Sequence, residues 1–354
     1  MDENKKTRLF EISSRSWEHP ADRAALAALK QFPQLDNLVK SFVGLTTESS
    51  LRLISMASAV RVTERQFPRV LRLLQDACYV LDWPDRPEVF VSQSPLMNAG
   101  AVGVKHPFIT INSSLVQSLS DDELLAVIAH ELSHIMSGHV LYKTLLWLFL
   151  NITQSALPLS GLALQGIIGA LREWDRKSEL SADRASLLVV QDRSPVFTVL
   201  MKLAGGTEGE LVLDEFLIQA AEYEKDGTIL DGVHKLLNIL NKSHPFPVIR
   251  LKELKVWHEG GSYEKILNGD YKKRNEADDP QAYFKEAMNS YREGVAGSKD
   301  PLAEAVHKVG NMINEAGKMA GNQAEAFFRN IFNPAQNEQK KQDEEKPDDG
   351  KGER

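Results

Sequence analysis

The sequence contains very little cysteine, no dense basic block and no apolar leader. Its single cysteine, Cys78, excludes an intramolecular disulfide and suits a reducing compartment. A net charge of −7, with no basic block to offset it, argues against nucleic acid as a partner. The opening segment MDENKKTRLFEISSRSWEHP lacks the apolar core of a secretory signal. We therefore expect a cytoplasmic protein that is not secreted.

What the sequence does contain is the histidine-rich segment ELLAVIAHELSHIMSGHVLYK. Ser120 and Glu123 form a capping-box pattern ahead of apolar residues at helical spacing, which predicts a helix. His130 and His134 then lie one turn apart on the same face, so both imidazoles can reach one metal ion. Glu131 lies beside that face, where it could hold a metal-bound water. This is the geometry of an H-E-x-x-H helix.

A third histidine, His139, follows in the same segment. On a continuous helix it would lie roughly 140° to 180° around from His130 and His134, at about 100° per residue. It is also out of register with the third histidine of the metzincin pattern. We predict that His139 is not a metal ligand. It lies on the helix surface or makes a structural hydrogen bond.

A catalytic zinc usually takes three protein ligands, so a third must come from later in the chain. The segment REWDRKSELSADRASLLVV predicts a second helix, with Glu179 and Asp183 four residues apart on one face. Glu179 could bind the metal, and Asp183 could accept the free ring N–H of a ligand histidine. The alternative is an ordinary charged helix face, because Glu173 and Asp175 show that acids are common here.

These motifs together resemble a known family. HELSH, SELSADRAS, SHPFPVIRLKEL, NAGAVGV and WHEGGSYEKILNGDY are similar to segments of the CAAX prenyl protease and HtpX family of zinc metallopeptidases, within the gluzincins. The similarity covers roughly residues 60–271. It implies an α+β, predominantly helical fold: a zincin-like metallopeptidase core with a small edge-strand sheet and added N- and C-terminal helices.

The resemblance also implies the roles of individual residues. The ligands of one Zn²⁺ ion per chain would be His130, His134 and Glu179. Glu131 would be the general base that takes a proton from water and passes it to the leaving amine. Asp183 would not bind the metal but would fix a ligand histidine by accepting its free ring N–H.

Substrate contacts are implied further from the metal helix. PEVFVS, NAGAVGV and PFITIN predict short strands, and Asn98 and Ala99 match the start of the family's edge strand. A polypeptide substrate would bind there as an added strand. His244 and Arg250 match the family's His-Pro and downstream arginine, and either could donate to the oxyanion of the tetrahedral intermediate. For His244, packing of its loop is the alternative.

Residues 144–171 contain no charged side chain, and Pro158 and Gly161 interrupt them near the middle. They predict an apolar helical hairpin with arms of roughly a dozen residues, each shorter than the ~20 residues that cross a bilayer. Three alternatives stay open: packing onto N-terminal helices, contact with a membrane surface, or a membrane span. The protein could therefore be peripheral or integral on the cytoplasmic membrane.

The predicted domain organisation has four parts. An N-terminal helical segment (1–59) precedes the zinc metallopeptidase domain (60–259), which includes the hairpin insert. A C-terminal helical module (260–333) and a disordered tail (334–354) follow, the tail being almost without apolar residues. The predicted function is zinc-dependent endopeptidase activity on proteins, in protein quality control. The alternative is a membrane-associated zinc-binding scaffold or interaction protein with little or no proteolysis.

Overall fold

The computed structural model describes residues 6–29, 47–156, 162–207, 209–225 and 246–276. The predicted α+β, predominantly helical fold is confirmed: helices surround one small sheet. A short 3₁₀ turn occupies Ser14–Ser16. The α-helices are α1 (Pro20–Leu29), α2 (Thr47–Ser58), α3 (Pro68–Val80), α4 (Ser113–Ser118), α5 (Asp121–Met136), α6 (Val140–Ala156), α7 (Leu162–Val190), α8 (Arg193–Leu203), α9 (Leu213–Lys225), α10 (Pro247–Glu259) and α11 (Ser262–Leu267).

The sheet contains the three predicted strands and one more. The strands are β1 (Ala59–Arg61), β2 (Val89–Ser92), β3 (Ala99–Val102) and β4 (Phe108–Asn112), in the order β1-β2-β4-β3. β2 and β4 are parallel, whereas β1 pairs with β2 and β3 pairs with β4 in antiparallel fashion. Within the described residues β3 is therefore an edge strand, and it packs against α5.

The predicted capping box starts α5. The Ser120 side chain accepts from the Glu123 N–H, and the Glu123 carboxylate accepts from the Ser120 N–H. These two bonds satisfy backbone donors that a helix start leaves without partners. Apolar residues of α5 lie in the hydrophobic core, and α5 packs most extensively on α7. The metal-motif helix is thus fixed at its start and along its length.

The end of α5 differs from our prediction of a helix continuing through His139. α5 ends at Met136, and Gly138 follows with φ of 68°. The Gly138 N–H donates to the Ile135 carbonyl and the His139 N–H donates to the His134 carbonyl. This pair of bonds is a Schellman motif, which glycine favours because it adopts positive φ without a Cβ clash. The turn bends the chain by about a right angle, 97° between the two helices, and brings His139 back toward His134.

The predicted hairpin corresponds to α6 and the first part of α7, which pack on each other. The second arm is not a separate helix, because α7 continues without a break into the SELSADRAS segment. The predicted break falls at 157–161, outside the described residues. No single helix of the described residues is long and apolar enough to cross a membrane. One bent pair, Asp121–Met136 with Val140–Trp147, meets the length and composition test across a 97° bend.

The two ends of the described chain meet beside α3. Leu9, Ile12 and Trp17 are buried in the same core as the helices of the predicted peptidase domain. Ile12 forms a β-bridge with Lys273, and Arg274 donates to the Asp82 carbonyl just after α3. The domain boundaries stay predictions. Residues 277–354, which include most of the predicted C-terminal module and the whole tail, lie outside the described residues.

Candidate metal centre and active-site cleft

The packing of α5 on α7 brings three potential metal ligands together. His130 Nε2 lies 3.2 Å from Glu179 Oε2, and His134 Nε2 lies 3.3 Å from Glu179 Oε1. The two Nε2 atoms are 3.3 Å apart. All the donor atoms lie within 4.8 Å of one another, and the three residues are buried. This group could hold one metal ion.

Glu131 lies next to the triad and faces a cleft. Its side chain is buried, and its Oε2 atom has no hydrogen-bond partner among the described residues. Buried polar atoms in native proteins are nearly always paired, so a carboxylate oxygen of this kind points to a partner beyond the described residues. A metal ion with its bound water would supply that partner. The residues present therefore fit a metal centre.

The cleft has a volume of about 660 Å³ and runs along the start of β3. Asn98 and Ala99 form one part of its wall, and His130 and Glu131 form another. Its remaining lining is mainly apolar and includes Leu96, Met97, Val127, Val199, Leu200, Phe246 and Val248. A mostly apolar cleft with a few converging polar groups is typical of a ligand site.

Asp183 and Arg250 form a hydrogen-bonded pair next to the candidate ligand His130. His130 Nδ1 lies 3.1 Å from Asp183 Oδ1, one turn beyond Glu179 on α7. Arg250 donates to both oxygens of Asp183, at 2.8 and 2.6 Å, and its Nη1 lies 3.3 Å from Glu179 Oε2. Burial alone would lower the pKa of His130, but the charges and hydrogen bonds of Glu179 and Asp183 raise it to about 9.

The ring nitrogen of His134 that does not face Glu179 has another histidine as its neighbour. Its Nδ1 atom lies 3.0 Å from His139 Nδ1, and both histidines are buried. Burial and the nearby positive charge of Lys143 lower the pKa of His134 well below its ordinary value. The predicted surface position of His139 is thus wrong, because the Schellman turn folds it inward. The predicted alternative, a structural hydrogen bond, agrees with this contact.

Residues 64–258 match the family model described as Peptidase family M48. The chain belongs to peptidase family M48. The predicted resemblance to HtpX-like zinc metallopeptidases is confirmed, and by family this M48 chain is a metalloprotease. No solved structure matches it.

Several relatives of this M48 chain carry protease names. Plastoglobule-localized metallopeptidase 48, chloroplastic, of Arabidopsis thaliana is 33% identical over 264 residues, covering 73% of this chain and 76% of that protein. A Protease HtpX homolog of Tropheryma whipplei is 25% identical over 163 residues, covering 46% and 54%. Protease HtpX of Idiomarina loihiensis is 29% identical over 192 residues, covering 45% and 62%. The M48 chain therefore spans just over half the length of these two HtpX proteins.

The structure of this M48 chain places most predicted site residues together. The cleft is lined by Asn98, Ala99, His130, Glu131, Asp183 and Arg250, and His130 also belongs to the buried group with His134 and Glu179. His244 lies outside the described residues. The guanidinium of Arg250 is buried and bonded to Asp183, which favours a supporting role over direct donation to an oxyanion.

Sequence reasoning missed Lys143 as a neighbour of the M48 metal centre. Lys143 Nζ donates to Asp175 Oδ1 at 2.6 Å and to Glu179 Oε1 at 2.7 Å. Its position follows from the Schellman turn, because α6 starts immediately afterwards and its first turn lies against α7. Gly138, two residues after the end of α5, was the sequence signal that could have predicted this turn, and with it the position of Lys143.

Proposed function

We propose that this M48 chain is a zinc-dependent metalloendopeptidase that cleaves polypeptides bound in extended form along β3. The observation that carries the proposal is the position of Glu131. Its carboxylate is buried beside His130, and one of its oxygens has no partner among the described residues. It also lines the cleft that a substrate would enter. A base held in this way can act on a water in the same cleft.

The donor set supports zinc as the metal. Two imidazoles and one carboxylate, from His130, His134 and Glu179, match catalytic zinc sites that keep a fourth position open. When bound, zinc supplies Lewis-acid polarisation of the scissile carbonyl and lowers the pKa of the attacking water. One ion per chain is proposed.

The side chains of the protein then have separate tasks. Glu131 takes the proton of the attacking water and delivers it to the nitrogen of the leaving amine. Asp183 accepts the N–H of His130 and fixes the orientation of that ring, and Arg250 holds Asp183 in place. Donation to the oxyanion by His244 stays a prediction from the family resemblance.

The substrate is proposed to be an extended polypeptide. Within the described residues β3 is an edge strand, and its start lines the cleft. A strand added at this edge would pass Glu131 along the cleft. Backbone pairing requires little of the side chains, which suits a role in protein quality control. Contact of residues 144–171 with a membrane surface stays a prediction.

Replacement of Glu131 by glutamine tests the proposal. Purified full-length wild type and Glu131→Gln are compared for zinc content, folding by circular dichroism, and cleavage of denatured casein. The variant should retain zinc and fold but lose cleavage by about a hundredfold or more. Glu222→Gln, an exposed residue on α9, is the matched control and should cleave like wild type. Cleavage by Glu131→Gln within tenfold of wild type would show that Glu131 is not the base.

A further inference from the structure

A chain of buried hydrogen bonds leads from the metal centre to the N-terminal helix α1. His134 Nδ1 lies 3.0 Å from His139 Nδ1. His139 Nε2 lies 3.2 Å from Asp22 Oδ2. Asp22 belongs to the first turn of α1, and all three side chains are at most 2% exposed. Asp22 is therefore connected to the metal centre through His139. It lies outside residues 64–258, which match the family model.

The Asp22 carboxylate is held in place by α7, the helix that carries Glu179. Trp174 Nε1 donates to Asp22 Oδ1 at 3.0 Å, and Ser181 Oγ donates to Asp22 Oδ2 at 2.6 Å. Ser181 Oγ in turn accepts from the His19 N–H at the start of α1. Both carboxylate oxygens are thus engaged by α7, so this end of α1 is fixed on the metal-binding helix.

The hydrogen positions in this chain can have only one arrangement when a metal is bound. A metal held by His134 Nε2 leaves the ring hydrogen of His134 on Nδ1. His134 then donates to His139 Nδ1, which must be the unprotonated nitrogen of its ring. The hydrogen of His139 is consequently on Nε2 and is donated to Asp22, a carboxylate that can only accept. Asp22 thereby selects the tautomers of both histidines.

The other ligand histidine, His130, is also hydrogen-bonded to a carboxylate. That carboxylate belongs to residues 64–258, which match the family model. His130 Nδ1 meets Asp183, which Arg250 holds. Each ligand histidine therefore connects to a buried carboxylate, directly for His130 and through His139 for His134. The two carboxylates come from different parts of the chain, Asp183 from α7 and Asp22 from α1.

We propose that Asp22 is a positioning residue for the metal centre, and that docking of α1 and binding of the metal stabilise each other. This inference rests on the proposed zinc site. Loss of an outer partner of a ligand histidine typically weakens metal binding roughly 10- to 100-fold. Coupling between two binding events is reciprocal, so the metal must also hold α1 more firmly in place.

The first test measures zinc affinity by competition with a chelator in the full-length chain. Asp22→Ala should bind zinc roughly 10- to 100-fold more weakly than wild type, and Asp22→Asn should bind with an intermediate affinity. Asparagine keeps an oxygen that can accept from His139 but lacks the charge. Asp82→Ala is the matched control, because it removes another carboxylate that holds the N-terminal segment, through Arg8 and the Glu11 N–H, and leaves the histidine chain intact. It should keep the zinc affinity of wild type even where its thermal stability falls.

The second test needs no variant and therefore does not depend on the folding of Asp22→Ala. Amide hydrogen exchange of wild type is compared before and after removal of zinc with a chelator. Exchange in Pro20–Leu29 should become faster without zinc, while Ser262–Leu267, which is no part of this hydrogen-bond chain, serves as the reference segment. Equal zinc affinity in Asp22→Ala and wild type, or unchanged exchange in α1, would overturn this inference alone. A wild-type chain without stoichiometric zinc would overturn the proposed function and this inference together.

Discussion

Two cations, Lys143 and Arg250, lie on either side of the carboxylate of Glu179 in the candidate metal-binding triad. Lys143 donates to Glu179 Oε1, and Arg250 Nη1 lies 3.3 Å from Glu179 Oε2. Burial alone would lower the pKa of Lys143, but the charges of Asp175 and Glu179 raise it well above its usual value. Lys143 is thus always charged in the folded protein. It compensates part of the buried negative charge when no metal is bound.

Lys143→Met should show how far a bound metal can take over from Lys143 in compensating the buried negative charge. Without zinc the variant should be about 3–5 kcal/mol less stable, because it removes a cation that pairs with two buried carboxylates. Zinc should restore part of this loss at Glu179, so the gain in melting temperature on adding zinc should exceed that of wild type. Differential scanning calorimetry with and without zinc measures both quantities.

Lys202→Met is the matched control for that experiment. Lys202 is also largely buried and pairs with Glu123 at 2.9 Å, at the other end of α5 from the turn at Gly138. Its loss should destabilise the protein by the same amount with and without zinc. An equal gain from zinc in Lys143→Met and wild type would contradict the assigned position of Lys143 beside the ligand.

The turn at Gly138 connects the metal helix α5 to α6 and brings His139 inward. Its φ of 68° is in the left-handed region, and a Cβ there would meet nothing within 4 Å. The conformational strain of a side chain is therefore the whole expected cost of Gly138→Ala, about 1–2 kcal/mol. Gly138→Asn should cost less, because asparagine tolerates positive φ. Chemical denaturation of the three proteins measures these differences, and equal stability of all three would contradict the assigned turn.

The elements around the metal were predictable to the extent that local patterns specify them. The capping box at Ser120 and the spacing of His130 and His134 predicted the start and the metal face of α5. Glycine at position 138 offered the signal for the end of that helix, but the apolar pattern on both sides favoured continuation. Contacts such as Asp22 with His139 join residues more than a hundred positions apart, and no local pattern encodes them. They follow only from the packing of α1 on α7.

At the scale of the whole molecule, one cleft combines an edge strand with the candidate catalytic group. β3 ends beside α6, where the Gly103 N–H donates to Thr144 Oγ1 at 3.2 Å. The other end of β3, at Asn98 and Ala99, lines the cleft with Glu131. A substrate that pairs with this edge must present several residues of free extended backbone, which a folded domain seldom offers.

The protein should therefore cleave unfolded polypeptides much faster than folded ones. A disulfide-containing substrate protein offered in its native form and after reduction and alkylation provides a matched pair of identical sequence. The reduced form should be cleaved at least tenfold faster, as measured by gel densitometry over time. Similar rates for the two forms would contradict recognition by strand addition.

The proposed activity depends on one zinc ion held by His130, His134 and Glu179. Measuring the metal content of the purified full-length protein tests whether these three residues hold the ion. Wild type should contain one zinc per chain, and Glu179→Ala should lose tightly bound zinc because two histidines leave the site one protein ligand short. Glu222→Ala, which changes an exposed glutamate on α9, should retain the wild-type content. Stoichiometric zinc in Glu179→Ala, or its absence from wild type, would contradict the assigned metal centre.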